Sequence, residues 1–340
     1  GRGGARRGGE GMSGNKTTLG VIGGGAWGTA LAQMLASDAS PVRLWAFERD
    51  VVEDINTARC NRAYLAGIDL NPAIVATADL AALSDCALLL VVTPAQHMRR
   101  VLAQLPPGDA DLVLCCKGIE EASGDLMVDV ARAAAPGRPL AVLSGPTFAH
   151  EVARGQPTAV TLACHDAAQW ERIAPRIARP AFRPYFTTDI TGAEIGGAVK
   201  NVLAIACGVV DGLGLGQNAR AALIARGFAE MTRFGLACGA QAETLSGLSG
   251  LGDLVLTCSS VSSRNFSLGK ALGEGRKAAD VLADRATVAE GAFTAPVLQR
   301  VARARGVAMP IVDTVCALLA GDVAADHAVA ALLARPLKAE

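Results

Sequence analysis

Three side chains in this sequence pair a reactive type with an unusual setting. Lys200 lies within "GGAVKNVLAIACG" (196–208), an apolar stretch of helical period in which an ammonium group must either reach solvent or have a polar task. Lysine is scarce: Lys16, Lys117, Lys200, Lys270, Lys277 and Lys338 are the six, and arginine carries the rest of the positive charge. Burial lowers the pKa of an ammonium and turns lysine into a general base. Lys117 follows "LVLCC" (112–116), at the carboxyl end of an expected strand. Open α/β sheets bind ligands at that edge, although a strand-end lysine also simply reaches solvent. Asp253 sits among small and apolar residues in "GLSGLGDLVLTCSS" (247–260), where a carboxylate needs a partner and Lys200 is a suitable one.

Two polar clusters and a glycine loop surround these three. "SGPTFAHEVARGQPTA" (144–159) sets Gly145, Pro146 and Thr147 after a strand, a turn rich in N–H and hydroxyl donors. "SSRNFS" (262–267) groups Ser263, Arg264 and Asn265, and arginine offers a planar, bidentate donor for phosphate. Each has a bland reading as a turn, a helix cap or a polar loop. "TTLGVIGGGAWGTALAQMLA" (17–36) contains Gly23-x-Gly25-x-x-Gly28, with Ala26 and Trp27 inside the loop. A bare GxGxxG is weak among 38 glycines, but here it follows an apolar strand and opens a helix. In that setting it cradles the pyrophosphate of a dinucleotide. NAD or NADP is favoured over FAD, because the following domain begins with a lysine site. Glu48, twenty residues past Gly28, suits the ribose hydroxyls of NAD, whereas Arg49 beside it suits a 2′-phosphate. Both cofactors stay open, as does Glu48 as an ordinary solvated charge. The set as a whole describes a site for a small phosphorylated substrate.

The elements that must hold these residues are legible in outline. Apolar runs at 18–23, 42–47, 87–92, 112–116, 140–145 and 158–163 alternate with alanine-rich stretches of helical period such as 28–37 and 95–105. This predicts a parallel sheet covered on both faces. After about residue 190 strand signals stop and an all-helical region is expected. The expected division is a disordered Gly/Arg-rich leader at 1–16 (with Met12 a candidate start), a dinucleotide-binding domain at 17–195 and a helical substrate domain at 196–340. Clefts between domains are favoured ligand sites.

Composition narrows the class. The 340 residues are 51% hydrophobic with formal net charge +0, which argues against a nucleic-acid partner. No uninterrupted apolar run reaches the ~18–20 residues needed to span a bilayer, so membrane insertion is not expected. Nine cysteines without a CxxC pair read as reduced thiols of a cytoplasmic protein. The four histidines are scattered and no cluster has metal-ligand spacing, so no metal is expected.

With these residues in place, the sequence strongly resembles the bacterial NAD(P)-dependent sn-glycerol-3-phosphate dehydrogenases. The likeness runs from about Thr18 to Arg335 through "VIGGGAWGTALA", "CCKGIE", "SGPTFAHEVA", "GGAVKNVLAIACGVVDGLGLGQNARAALIARG", "GLSGLGDLVLTC", "SSRN" and "VAEG". It implies an N-terminal Rossmann-type doubly wound sheet followed by an all-α domain of the 6-phosphogluconate-dehydrogenase-like kind. It also implies interconversion of sn-glycerol 3-phosphate and dihydroxyacetone phosphate, supply of glycerol 3-phosphate for phospholipid synthesis, and a homodimer. By the same likeness Lys200 is the proton acceptor, Lys117 touches substrate and cofactor, and Asp253 orients Lys200 or the glycerol hydroxyls. Gly145 and Thr147 line the substrate site, which Ser263, Arg264 and Asn265 help to hold. Ala26, Trp27, Phe47, Glu48, Arg49, Ala149, Arg264, Val288 and Glu290 belong to the cofactor site. Phe47 departs from the pattern, since many members carry a basic residue there. Two readings compete: another dehydrogenase of the same fold pair, acting on a 3-hydroxyacid or 6-phosphogluconate, and a dinucleotide sensor without turnover.

Overall fold

Eight short strands form one sheet: β1 (Leu19–Ile22), β2 (Val42–Trp45), β3 (Ile74–Thr77), β4 (Leu88–Val91), β5 (Asp111–Leu114), β6 (Leu140–Ser144), β7 (Thr158–Ala163) and β8 (Phe182–Thr187). This is a computed structural model, and it describes residues 17–283 and 289–334. The leader expected at 1–16 and Val288 lie outside the described residues. Strand order is β3-β2-β1-β4-β5-β6-β7-β8, so the chain winds outward in one direction from β1 and in the other from β4. The crevice at that reversal is where a doubly wound sheet binds its ligand.

Alternation along the strands divides the core. Val21, Leu90 and Val113 face one side of the sheet, under the helix Ala26–Leu35. Ile22, Leu89, Val91 and Leu112 face the other, under Met98–Leu102 and Met127–Ala134. β1, β4 and β5 are buried along their whole length, which explains their unbroken apolar runs.

Two features depart from the expected architecture. β3 and β8 carry no strong apolar run because they are the two edges, where Val75, Tyr185 and Phe186 are exposed and Pro184 needs no ladder partner on one side. The sheet is not wholly parallel, for β7 runs antiparallel to β6. The link between them contains one helix, Ala149–Ala153, too short to carry the chain back along the sheet for a parallel crossover. The change from strands to helices comes at Thr188–Asp189, close to the expected residue 190, where Asp189 caps the next helix by accepting from the Gly192 N–H at 2.9 Å.

That helix, Ile190–Gly212, is the axis of the helical half. It is long and apolar enough to cross a bilayer by length and composition, but its apolar window is wholly buried inside the molecule. Its small residues serve backbone contact with the helix Arg264–Gly273: a Cβ on Gly208 would lie 2.0 Å from the Phe266 carbonyl oxygen, and one on Gly269 would lie 1.9 Å from that of Ile205. The "GGAVKNVLAIACG" stretch is therefore a packing surface as well as the carrier of Lys200. No strand follows Thr187 among the described residues.

Candidate active site

The glycine loop lies at the carboxyl end of β1. Gly23 adopts φ +133, and a Cβ there would press on the Val92 backbone at 2.8 Å. A Cβ on Gly28 would lie 1.8 Å from the Gly23 carbonyl oxygen, so only glycine lets helix and strand close up. At Gly25 nothing lies within 4 Å, which leaves its face open to the crevice. The helix Ala26–Leu35 has no side-chain cap, and its first internal bond runs from the Thr29 N–H to the Gly25 carbonyl. The N–H groups of Ala26, Trp27 and Gly28 thus have no partner within the helix, the arrangement that receives phosphate. Trp27 Nε1 and Thr93 Oγ1, the latter just past β4, are buried without a hydrogen-bond partner. An open cradle with orphaned donors fits a dinucleotide.

On the helical side of the crevice two ammonium groups converge on one carboxylate. Asp253 is fully buried; Lys200 Nζ donates to its Oδ1 at 2.5 Å and Lys117 Nζ to its Oδ2 at 2.7 Å. Lys117 also donates to the Gly145 carbonyl at 3.2 Å, and Lys200 to Thr257 Oγ1 at 3.0 Å. Three parts of the chain meet here: the end of β5, the middle of Ile190–Gly212, and the short helix Asp253–Thr257. Burial draws the Lys200 ammonium down to about 8; Asp253 pulls it back up and Lys117 pushes it further down. Burial alone would raise Asp253, but Lys117 and Lys200 outweigh it and hold the carboxyl below its usual range.

The structure distributes the other expected residues over neighbouring elements. Thr147 Oγ1 donates to the same Gly145 carbonyl at 3.3 Å. Ala149 starts a helix that packs against the glycine-loop helix. Ser263 caps the helix Arg264–Gly273, accepting from the Phe266 N–H, which leaves Arg264 exposed at its first position. Asn265 Oδ1 accepts from the Gly291 N–H at 2.8 Å and ties that helix to Glu290. Burial raises Glu290, while Arg264, Lys117 and Lys200 pull against it, so all four charges share one field. Phe47, Glu48 and Arg49 lie past the end of β2, with Glu48 immediately before the helix Arg49–Glu53 and making no side-chain cap bond to it.

Several participants were not foreseen from sequence. Thr257 is one turn past Asp253, donates to its backbone carbonyl at 2.7 Å and accepts from Lys200; the Asp-x-x-x-Thr spacing on a helix was the available signal. The hydroxyls of Ser144 and Ser249 are buried without partners on the segments that carry Gly145 and Asp253. Nothing in their spacing marks them. No group of three or more His, Cys, Asp or Glu side chains among the described residues is arranged to hold a metal. Two surface cavities, about 370 and 360 Å³, lie away from the lysines, the larger near Arg138, His165 and Arg172.

Comparison with known proteins shows the family. Residues 18–170 match the family described as NAD-dependent glycerol-3-phosphate dehydrogenase N-terminus, and residues 189–330 match its C-terminus. A protein of Erythrobacter litoralis named glycerol-3-phosphate dehydrogenase [NAD(P)+] is 68% identical over 95% of this chain and 97% of its own length. One of the same name from Novosphingobium aromaticivorans is 67% identical, over 95% and 98%. The crystal structure of glycerol-3-phosphate dehydrogenase from Coxiella burnetii superposes with TM-score 0.89 at 37% identity, covering 94% of this chain and 99% of that one.

Proposed function

Since the chain belongs to the NAD-dependent glycerol-3-phosphate dehydrogenase family, we propose that the Lys117–Asp253–Lys200 cluster is the machinery with which it interconverts sn-glycerol 3-phosphate and dihydroxyacetone phosphate using NAD(P)(H). The observation that carries this reading is the pair of ammonium groups on one fully buried carboxylate. With Asp253 ionised and both lysines protonated, the cluster keeps a net positive charge. That charge draws in a phosphorylated anion and stabilises negative charge developing on the C2 oxygen.

Hydride exchange at C2 is the chemistry the dinucleotide supplies when bound. Lys200 takes the C2 hydroxyl proton in oxidation and returns it in reduction. A pKa of about 8 keeps both of its protonation states within reach of neutral pH. Asp253 and Thr257 fix where its Nζ points, and Lys117 is held between Gly145 and Asp253 so as to meet substrate and cofactor together. Arg264 receives the substrate phosphate, Ser263 and Asn265 hold the turn that presents it, and Gly145 and Thr147 form the facing wall. Ala26, Trp27, Ala149 and Glu290 flank the dinucleotide.

We assign 17–187 to cofactor binding and the helices from 190 onward to substrate. We place the enzyme in the cytoplasm, as the unpaired, largely buried cysteines suit. It supplies glycerol 3-phosphate for phospholipid synthesis and works as a homodimer. Exposed Leu215, Leu236, Val255 and Val261 on the helical half support the dimer.

The test follows NADH and NADPH oxidation with dihydroxyacetone phosphate, with hydroxypyruvate and oxaloacetate as controls, in wild type and Lys200→Ala. The variant is expected to lose about 10²–10⁴-fold in kcat while still binding the dinucleotide. Reduction needs protonated Lys200, so its rate falls as pH rises through about 8, and oxidation shows the opposite slope. Near wild-type turnover by the variant would remove Lys200 from the mechanism.

A further inference from the structure

Lys117 is the one member of the charge cluster that no helix carries. It stands just past β5, and the chain then runs without a helix or a full strand until Met127. Gly118 follows at φ +154, in a region that favours glycine. The backbone beyond it is held by side chains from the segment after β4. Gln96 spans two main-chain groups: its Nε2 donates to the Ile119 carbonyl at 2.9 Å, and its Oε1 accepts from the Glu121 N–H at 2.8 Å. An amide offers one donor side and one acceptor, so Gln96 pairs with this turn as a neighbouring strand would. Arg99 grips the residue in between. Its Nε donates to Glu120 Oε1 at 2.9 Å and its Nη2 to Oε2 at 2.7 Å. Ser123 Oγ donates to the same Oε2 at 2.6 Å, and Glu120 is buried. A Cβ on Gly118 would lie 2.9 Å from the Ala95 Cβ, so the turn is seated on the residue before Gln96. From the helical half, Arg300 donates to the Glu121 carbonyl at 2.8 Å.

Resting on the role given to Lys117 above, we propose that Gln96 is a positioning residue: by bracing the backbone at 119–121 it fixes the base from which Lys117 reaches Asp253 and the substrate. The Lys117 side chain is long and has many rotors. Gly145 and Asp253 hold its far end. Substrate must compete for that same ammonium group, so the near end has to stay in place while the far end is shared. The Arg99–Glu120 fork is the second brace on the same turn. Small displacements of a group that meets the reacting atoms are costly, and the brace removes that freedom.

The experiment is a double-mutant cycle on kcat/KM for dihydroxyacetone phosphate, with wild type, Gln96→Met, Lys117→Ala and the pair. Methionine keeps the length of the side chain and has no amide. Gln96→Met is expected to lower kcat/KM about tenfold where Lys117 is present and less than about twofold where it is alanine. An equal loss in both backgrounds overturns the proposal, because a merely structural role does not depend on Lys117. The pH profile of Gln96→Met gives a second readout that needs no turnover from Lys117→Ala. Asp253, Lys117, Cys258 and Glu290 are the charged and titratable groups around Lys200, and Lys117 is one that pushes its ammonium down. Letting Lys117 drift off Asp253 moves the alkaline limb of reduction upward, and an unmoved limb overturns the proposal. Gln96→Glu keeps only the acceptor for the Glu121 N–H and carries the same cycle if Gln96→Met does not fold. Near wild-type turnover by Lys117→Ala alone overturns the role of Lys117 on which the proposal rests.

Discussion

One helix, Ile190–Gly212, buries two ionisable groups of opposite sign, Glu194 and Lys200, each 7% exposed. Burial is the main force on both: it lifts Glu194 to about 8 and lowers Lys200 to about 8. Their surroundings differ. Lys200 shares a buried counterion with a second lysine and has a hydroxyl beside it. Glu194 accepts one N–H, from Val128 at 2.7 Å, and its other oxygen has no partner. It caps the start of the helix Met127–Ala134, a task a protonated carboxyl performs without a charge. Glu230 does the same for Ile311 and Val312 at the start of Pro310–Ala320, and burial lifts it to about 7. A buried ionisable group therefore does not by itself mark chemistry in this molecule. What separates the proposed catalytic cluster is a counterion shared by two lysines.

Removing the shared counterion tests that distinction most severely. Asp253→Asn leaves two ammonium groups facing each other in a buried site, and the loss of stability is expected to be about 3–5 kcal/mol. The same change frees Lys117 and Lys200 from their aim and should cost turnover at least as much as the loss of either lysine. Denaturant midpoints and kcat measured together check both. A stable, active variant would show that the carboxylate is incidental.

Gly197→Ala sharpens the comparison with a smaller effect. A Cβ there would lie 3.1 Å from Lys117 Cγ, 3.2 Å from Cδ and 3.3 Å from Ser144 Oγ. The Lys117 stem must yield by a few tenths of an ångström, which carries Nζ off Asp253. Alanine also favours the helix over glycine by up to about 1 kcal/mol. The expected result is unchanged or slightly raised stability with kcat/KM lowered about tenfold. A parallel loss of stability and activity would place Gly197 in packing alone, alongside Gly208.

The same contrast explains what could be read from sequence. Buried strands were visible because burial on both faces writes an unbroken apolar run, as in Leu88–Val91. The edge strands Ile74–Thr77 and Phe182–Thr187 were not, because one flank of each has no strand to satisfy and the residues can be polar or exposed. Lys200 and Asp253 were legible as charges in apolar company, and Lys117 as a strand-end lysine. Thr257 and Gln96 were not, since each meets a partner far along the chain, and spacing encodes only neighbours on the same element. Glu194 shows the converse: a carboxylate in an apolar helix passes every test that Lys200 passes, and only its lack of a counterion in space distinguishes it.

The last prediction, with no expected effect on turnover, probes that point through pH. The folded-state pKa of Glu194 lies above its unfolded value, so the folded chain holds this proton more tightly. Its contribution to stability is complete below about pH 4.5 and is lost as pH rises through about 8. Glutamine keeps the oxygen that accepts from Val128 and cannot ionise. Glu194→Gln should thus match wild type near pH 5 and exceed it at pH 9, by on the order of a few kcal/mol at most. Lys200 also titrates near pH 8, but it is present in both proteins and cancels in the difference. Turnover with dihydroxyacetone phosphate should be unaltered, because Glu194 meets the chain at Val128 and not at the lysines. Thermal midpoints of the two proteins that run parallel from pH 5 to 9 would mean that Glu194 is ionised throughout, and that its site holds charge as well as the catalytic cluster does.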